Sequence, residues 1–164
     1  MTRRGSYFFV IDAFIASIII LGMIVVLFTD YSAKAPATQA LYTAEDFLGV
    51  IEITNVRDYD DDQVRAWMLD GTINDTSRTL LQQLAYFNVT SNLSQARTLA
   101  NLTIADVPEQ VNVRLLIAGE AYGWRELVPA GEATAFFSSK RIVTLRNYTT
   151  ALYPPVVIEV QTWQ

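Results

Sequence analysis

The stretch Ser6 to Phe28 constrains this chain more than any other, because it is almost wholly apolar and carries a single charge, Asp12. As a helix rising about 1.5 Å per residue it reaches roughly 35 Å, enough for a hydrocarbon core of about 30 Å. The sequence therefore predicts a transmembrane or assembly helix over residues 6–30, behind a basic leader of residues 1–5. Arg3 and Arg4 place the N-terminal flank on the cytoplasmic side and the bulk of the chain outside. A removed secretory signal is the competing reading. It fits less well: Ala13 to Phe28 is at the long edge for a signal core, and the nearest small-x-small site is Ala33-Lys34-Ala35.

Asp12 has a context. At 100° per residue, Asp12, Ala13, Ala16 and Ser17 share one side of the helix, while Phe14 and Ile18 lie opposite. Ala13 and Ser17 form a small-xxx-small pair that admits a second helix at close range. An acid within an apolar helix is expensive unless partnered, so this face is read as a helix–helix assembly surface. The bland alternative leaves Asp12 wet at an interface.

The segment Arg3-Arg4-Gly5-Ser6, followed by Tyr7-Phe8-Phe9-Val10-Ile11-Asp12-Ala13, resembles the class III signal of type IV pilins and their archaeal relatives over roughly residues 3–28. The resemblance implies cleavage by a prepilin peptidase between Gly5 and Ser6. It implies that the new N-terminus begins a long helix packed against other pilin-like subunits. One departure is that the acid would be the seventh mature residue, where bacterial pilins carry glutamate at the fifth.

Past residue 30 the chain changes grammar twice. Leu41, Ala44, Phe47, Leu48 and Ile51 recur at helical steps, with Pro36 in a first turn or at a kink. Asp58-Tyr59-Asp60-Asp61-Asp62 precedes Val64, Trp67 and Met68 and reads as a helix N-terminus. Calcium is the rival, but a calcium loop would want glycine where Gln63 stands and glutamate where Leu69 stands. Further helices run through Leu80, Leu81, Leu84 and Phe87, and through Ala96, Leu99 and Ala100, up to Pro108. From Val111 the pattern alternates, with strands expected near 111–117, 121–128, 134–145 and 156–163 and an irregularity at Gly123. Helices over 33–104 and strands over 110–164 make residues 31–164 an extracytoplasmic α+β domain with an antiparallel sheet. The expected fold class is thus α+β and pilin-like: a long N-terminal transmembrane helix, short helices, then the C-terminal sheet.

Chemistry is sparse. The chain has 17 acids against 12 bases, no Cys and no His, so disulfides, thiol chemistry and the commonest general base are absent. The negative balance disfavours nucleic acid. No nucleophile elbow, zinc motif or phosphate loop occurs; Glu120, Glu126 and Glu132 read as scattered surface acids, and Trp67, Trp124 and Trp163 as core rather than sugar-stacking residues. Five of the seven Asn residues fit N-x-Ser/Thr: Asn74, Asn88, Asn92, Asn101 and Asn147. With Ser plus Thr at 24 of 164 positions, about one match is due to chance. The excess favours glycosylation; a Thr-rich surface with incidental matches is the alternative. Together these features lead to an expectation of a structural, non-enzymatic subunit of a type IV pilus-like surface filament, a minor pilin, with no cofactor or metal. The alternative is a membrane-anchored surface protein that binds a ligand or adheres without polymerising.

Overall fold

In a computed structural model the described residues are 4–145 and 153–164, with side chains described outside 4–10 and 28–41. The chain divides into two compact units, Met1–Pro36 and Ala37–Gln164. The element that opens the chain is helix α1, Arg4–Ile53.

One expectation must be corrected here. Among the described residues, no helix is long and apolar enough to cross a membrane. This overturns the transmembrane helix over residues 6–30 and the single-pass membrane localisation with a cytoplasmic N-terminus and an extracellular main domain. The described apolar side chains run from Ile11 to Leu27, with the charged Asp12 near one end of the run.

In the second unit the last turns of α1 bury Ala44, Phe47, Leu48 and Ile51, the spacing at which one helix face meets a core. Helix α2, Asp62–Leu69, starts where Asp61 accepts from the backbone N–H groups of Gln63 and Val64 at 2.9 and 3.0 Å. It stops before Gly71, whose φ of 81° suits a residue without Cβ. Helix α3, Leu80–Val89, opens with a capping box: Thr79 Oγ1 accepts from Gln82 N–H, and Gln82 Oε1 accepts from Thr79 N–H, both at 3.2 Å. Helix α4 covers Leu93–Ala105.

The strands are β1, Asn112–Ile117; β2, Glu120–Arg125; β3, Phe136–Val143; and β4, Val156–Trp163. They form one antiparallel sheet in the order β2-β1-β4-β3. Ala118 and Gly119, both at positive φ, close a two-residue hairpin between β1 and β2. The architecture is therefore α+β with a four-stranded antiparallel sheet. Val113, Leu115, Ile117, Ile158 and Val160 point to the helical side and are fully buried. They meet Leu84, Phe87, Leu99 and Ala100 of α3 and α4 in one hydrophobic cluster. The register of β1 against β2 shifts between Leu115 and Leu116, beside Gly123. Gly123 has a packing reason. A Cβ there would stand 2.8 Å from Ile104 Cδ1 and 3.1 Å from the Ala100 carbonyl carbon, so only glycine lets α4 seat this closely on β2.

Polar groups tie the edges. Arg141 on β3 donates to Glu45 at 2.7 Å and to Glu52 at 3.0 Å, two turns apart on α1. The Ser139 hydroxyl and the Arg141 guanidinium hold the Glu45 carboxyl below its usual range. Asn112, buried, donates to the Trp163 carbonyl at 2.9 Å and accepts from the N–H groups of Leu127 and Val128. It thereby folds the segment after β2 over the end of the sheet.

Candidate functional site

The assembly face expected on the N-terminal helix lies within α1. Ser17 donates its hydroxyl to the Ala13 carbonyl at 2.8 Å, so the hydroxyl is satisfied within its own helix and keeps the face between Ala13 and Ser17 low. Every described side chain from Ile11 to Leu27 is exposed, Asp12 and Ala16 included. Phe14 is 68% exposed and Leu27 69%. A Cβ at Gly22 would meet nothing within 4 Å. A hydrophobic surface this continuous is what interaction sites present. Gly5 and Ser6 fall in the backbone of α1, and their side chains lie outside the described residues.

The sequons separate sharply. Asn74 is exposed in the loop before α3, and Asn92 is exposed at the start of α4, where its amide donates to Thr90 Oγ1 at 3.2 Å. Asn88 lies inside α3, and its amide nitrogen donates to the Tyr122 hydroxyl at 2.6 Å. Asn101 is an exposed residue of α4, but its partner Thr103 is buried and donates back to the Ala100 carbonyl. Asn147 lies outside the described residues. We expect glycopeptide mass spectrometry of protein from its native source to find sugar on Asn74 and Asn92 and none on Asn101. Bare peptides at both Asn74 and Asn92 would reject that expectation.

The acid run caps α2 through Asp61, while Asp60 and Asp62 pair with Arg65 at 2.6 and 3.1 Å. Glu120, Glu126 and Glu132 are exposed, and Glu126 accepts from the Ala130 N–H in the turn after β2. Trp67 packs edge-on against Phe87, centroids 5.8 Å apart, and Trp163 is fully buried. Trp124 departs from the expectation of a core residue: it is 59% exposed on β2. The strand at 121–128 reads as alternating, but Trp124 pairs with Arg114 on the sheet face away from the helices, so α3 and α4 do not cover it.

Two concave surfaces went unread in the sequence. One, of about 290 Å³, lies between the last turns of α1 and the end of α4, with Phe47, Val50, Ile51 and Val107 as walls. At its rim the Tyr59 hydroxyl donates to Asp106 at 2.9 Å. Burial and the neighbouring Asp106 carboxylate push the Tyr59 phenol far above its ordinary value. These partners are 47 residues apart in sequence, so no local pattern joins them. The other surface, of about 580 Å³, is an open hollow beside Trp124. No protein-family model matches this chain, and neither curated proteins nor solved structures show a significant match to it.

Proposed function

We propose that this chain is a structural subunit of a type IV pilus-like filament and assembles through the N-terminal part of α1. The observation that carries the reading is the apolar run Ile11–Leu27, exposed throughout, with one acid beside a pair of small residues. A folded chain rarely leaves so long an apolar helix uncovered unless another surface covers it. Copies of the same helix suit it: Ala13, Ala16 and Ser17 permit close approach, and Asp12 supplies a polar group to be paired. The order of a long helix followed by an antiparallel sheet, and the Arg3-Arg4-Gly5-Ser6 leader, support the same reading. A prepilin peptidase and other pilin-like subunits are its partners.

The test has two parts. The N-terminal sequence of the assembled protein should begin at Ser6. Asp12→Ala should lower incorporation into filaments, scored by sedimentation and electron microscopy, while Asp12→Glu retains most of it. A loss of about 1.4 kcal/mol per contact is tenfold in the association constant, and a filament repeats that loss at every subunit. Ala16→Leu should weaken assembly as well, by holding helices apart. Normal filaments from both Asp12→Ala and Ala16→Leu would refute assembly through this face.

A further inference from the structure

We propose that the cavity between the last turns of α1 and the end of α4 binds a small organic amine, its apolar body between the helices and its ammonium on the carboxylates of Asp46 and Asp106. The cavity measures about 290 Å³, and its lining lies wholly within the second unit. Since a protein cavity of about 150 Å³ holds one benzene, this one has room for a body of roughly ten non-hydrogen atoms. Phe47, Val50, Ile51 and Val107 give it apolar walls, and Val50 is more than half exposed, so the space opens to solvent.

The polarity of the lining is one-sided. No described lining residue is basic, while Asp46 on α1 and Asp106 at the end of α4 contribute one carboxylate each. The hydroxyl protons are already spent. Tyr59 donates to Asp106 at 2.9 Å, Thr54 to the Val50 carbonyl at 2.8 Å and Thr103 to the Ala100 carbonyl at 2.9 Å. The backbone behaves alike: the N–H groups of Thr54, Tyr59, Leu80, Asp106 and Val107 all donate to carbonyls, and Pro108 has none. What these groups leave over is oxygen that accepts. A ligand must therefore bring the donors. An ammonium brings three with a positive charge, an alcohol brings one, and a carboxylate brings none and meets two like charges.

The place of Asp106 adds a second reason for a cation. Asp106 is the C-cap of α4, where the last carbonyls give the helix end a negative potential. A carboxylate there is disfavoured by the helix and a cation is favoured, so an ammonium relieves both. The carboxylate is also held in place before any ligand arrives. Burial and the Asp106 carboxylate push the Tyr59 phenol far above its ordinary value, so the phenol keeps its proton on Asp106 and offers its own oxygen as an acceptor. Preorganised groups lose little freedom on binding.

The cation is organic rather than a metal ion. Among the described residues no group of three or more His, Cys, Asp or Glu side chains could hold a metal, and the apolar walls offer a bare ion nothing. This proposal is independent of filament assembly, since no lining residue lies in the Ile11–Leu27 run.

Calorimetry of the full chain at neutral pH tests it with phenethylamine, tryptamine and cyclohexylmethylamine. The matched probes are 2-phenylethanol, which is neutral, and 3-phenylpropionate, which is acidic. At least one amine is expected to bind saturably at one site per chain, with both matched probes at least about tenfold weaker. Asp46→Asn and Asp106→Asn should each weaken that amine by about three- to tenfold, and the double variant by more. Val50→Trp, which fills the space from its exposed side, should abolish binding. Circular dichroism of each variant verifies the fold, and the two Asn variants keep the test open where the tryptophan disturbs packing. Absence of saturable binding by every amine, equal binding of 2-phenylethanol, or undiminished binding to the folded double variant would each overturn the proposal.

Discussion

Trp163→Ala is expected to destabilise the α+β unit by about 3–5 kcal/mol, the range for deleting a buried aromatic from a packed site. Trp163 is fully buried although it sits at the very end of β4, on the side of the sheet away from the helices. Its cover is built from distant parts of the chain. Phe136 stacks on it with centroids 6.1 Å apart, and the Arg114 guanidinium lies 5.3 Å from its ring centroid. Its indole N–H donates to the Val128 carbonyl at 2.6 Å. Alanine would remove the ring, leave that carbonyl without its donor and strip Phe136 of its neighbour. With domain stabilities near 5–15 kcal/mol, the loss is a large share of the total. Urea unfolding followed by circular dichroism should show the midpoint fall by about 2 M. Trp163→Phe should lose less, since it keeps the ring contact and forfeits only the hydrogen bond. A midpoint for Trp163→Ala within about 0.5 M of the parent would show that the end of the sheet contributes little to cooperative folding.

Gln83→Met is expected to act in the opposite direction, raising stability by about 1–2 kcal/mol. Gln83 on α3 is fully buried, and among the described residues neither its amide nitrogen nor its amide oxygen has a hydrogen-bond partner. Burying an unsatisfied polar group costs about 1–3 kcal/mol, and both ends of this amide bear that cost. Methionine has similar length and flexibility and no group to satisfy, so it can occupy the same space. Its neighbours along α3, Leu80, Leu84 and Phe87, are all buried and apolar. The same urea titration reads the effect, here as an upward shift of the midpoint of about 1 M. An unchanged or lowered midpoint would mean that water or a ligand satisfies Gln83 in solution. Gln83→Glu should be destabilising, because a carboxylate at that position is buried without a counter-charge.

Much of the second unit was legible before any coordinates. Val156 to Trp163 reads as a strand because its branched residues alternate, and β4 covers those residues. The Asp58–Asp62 run reads as a helix start because a carboxylate can accept the first free N–H groups, and Asp61 does so. The face Ala44, Phe47, Leu48 and Ile51 follows from helical spacing alone. In each case the deciding period or cap lies within a few residues, so the one-dimensional pattern contains it.

Other features needed the assembled fold. The apolar run at the N-terminus reads as a membrane span by composition, yet no described helix is long and apolar enough to cross one. Trp124 and Trp163 look alike in sequence, each in an alternating stretch. Both stand on the sheet face away from the helices; Trp163 is buried because Phe136, Arg114 and the segment after β2 close over it, and Trp124, opposite Arg114 on the outermost strand, stays exposed. Asn112 looks like a solvent-facing strand residue until the N–H groups of Leu127 and Val128 reach it. By itself the sequence determined which segments coil, which extend and where they start, because hydrogen bonding, capping and side-chain period act along the chain. Only the tertiary structure decided which faces are covered, which glycine must stay a glycine and which tryptophan meets water, because those depend on strand order and on groups brought together from tens of residues away.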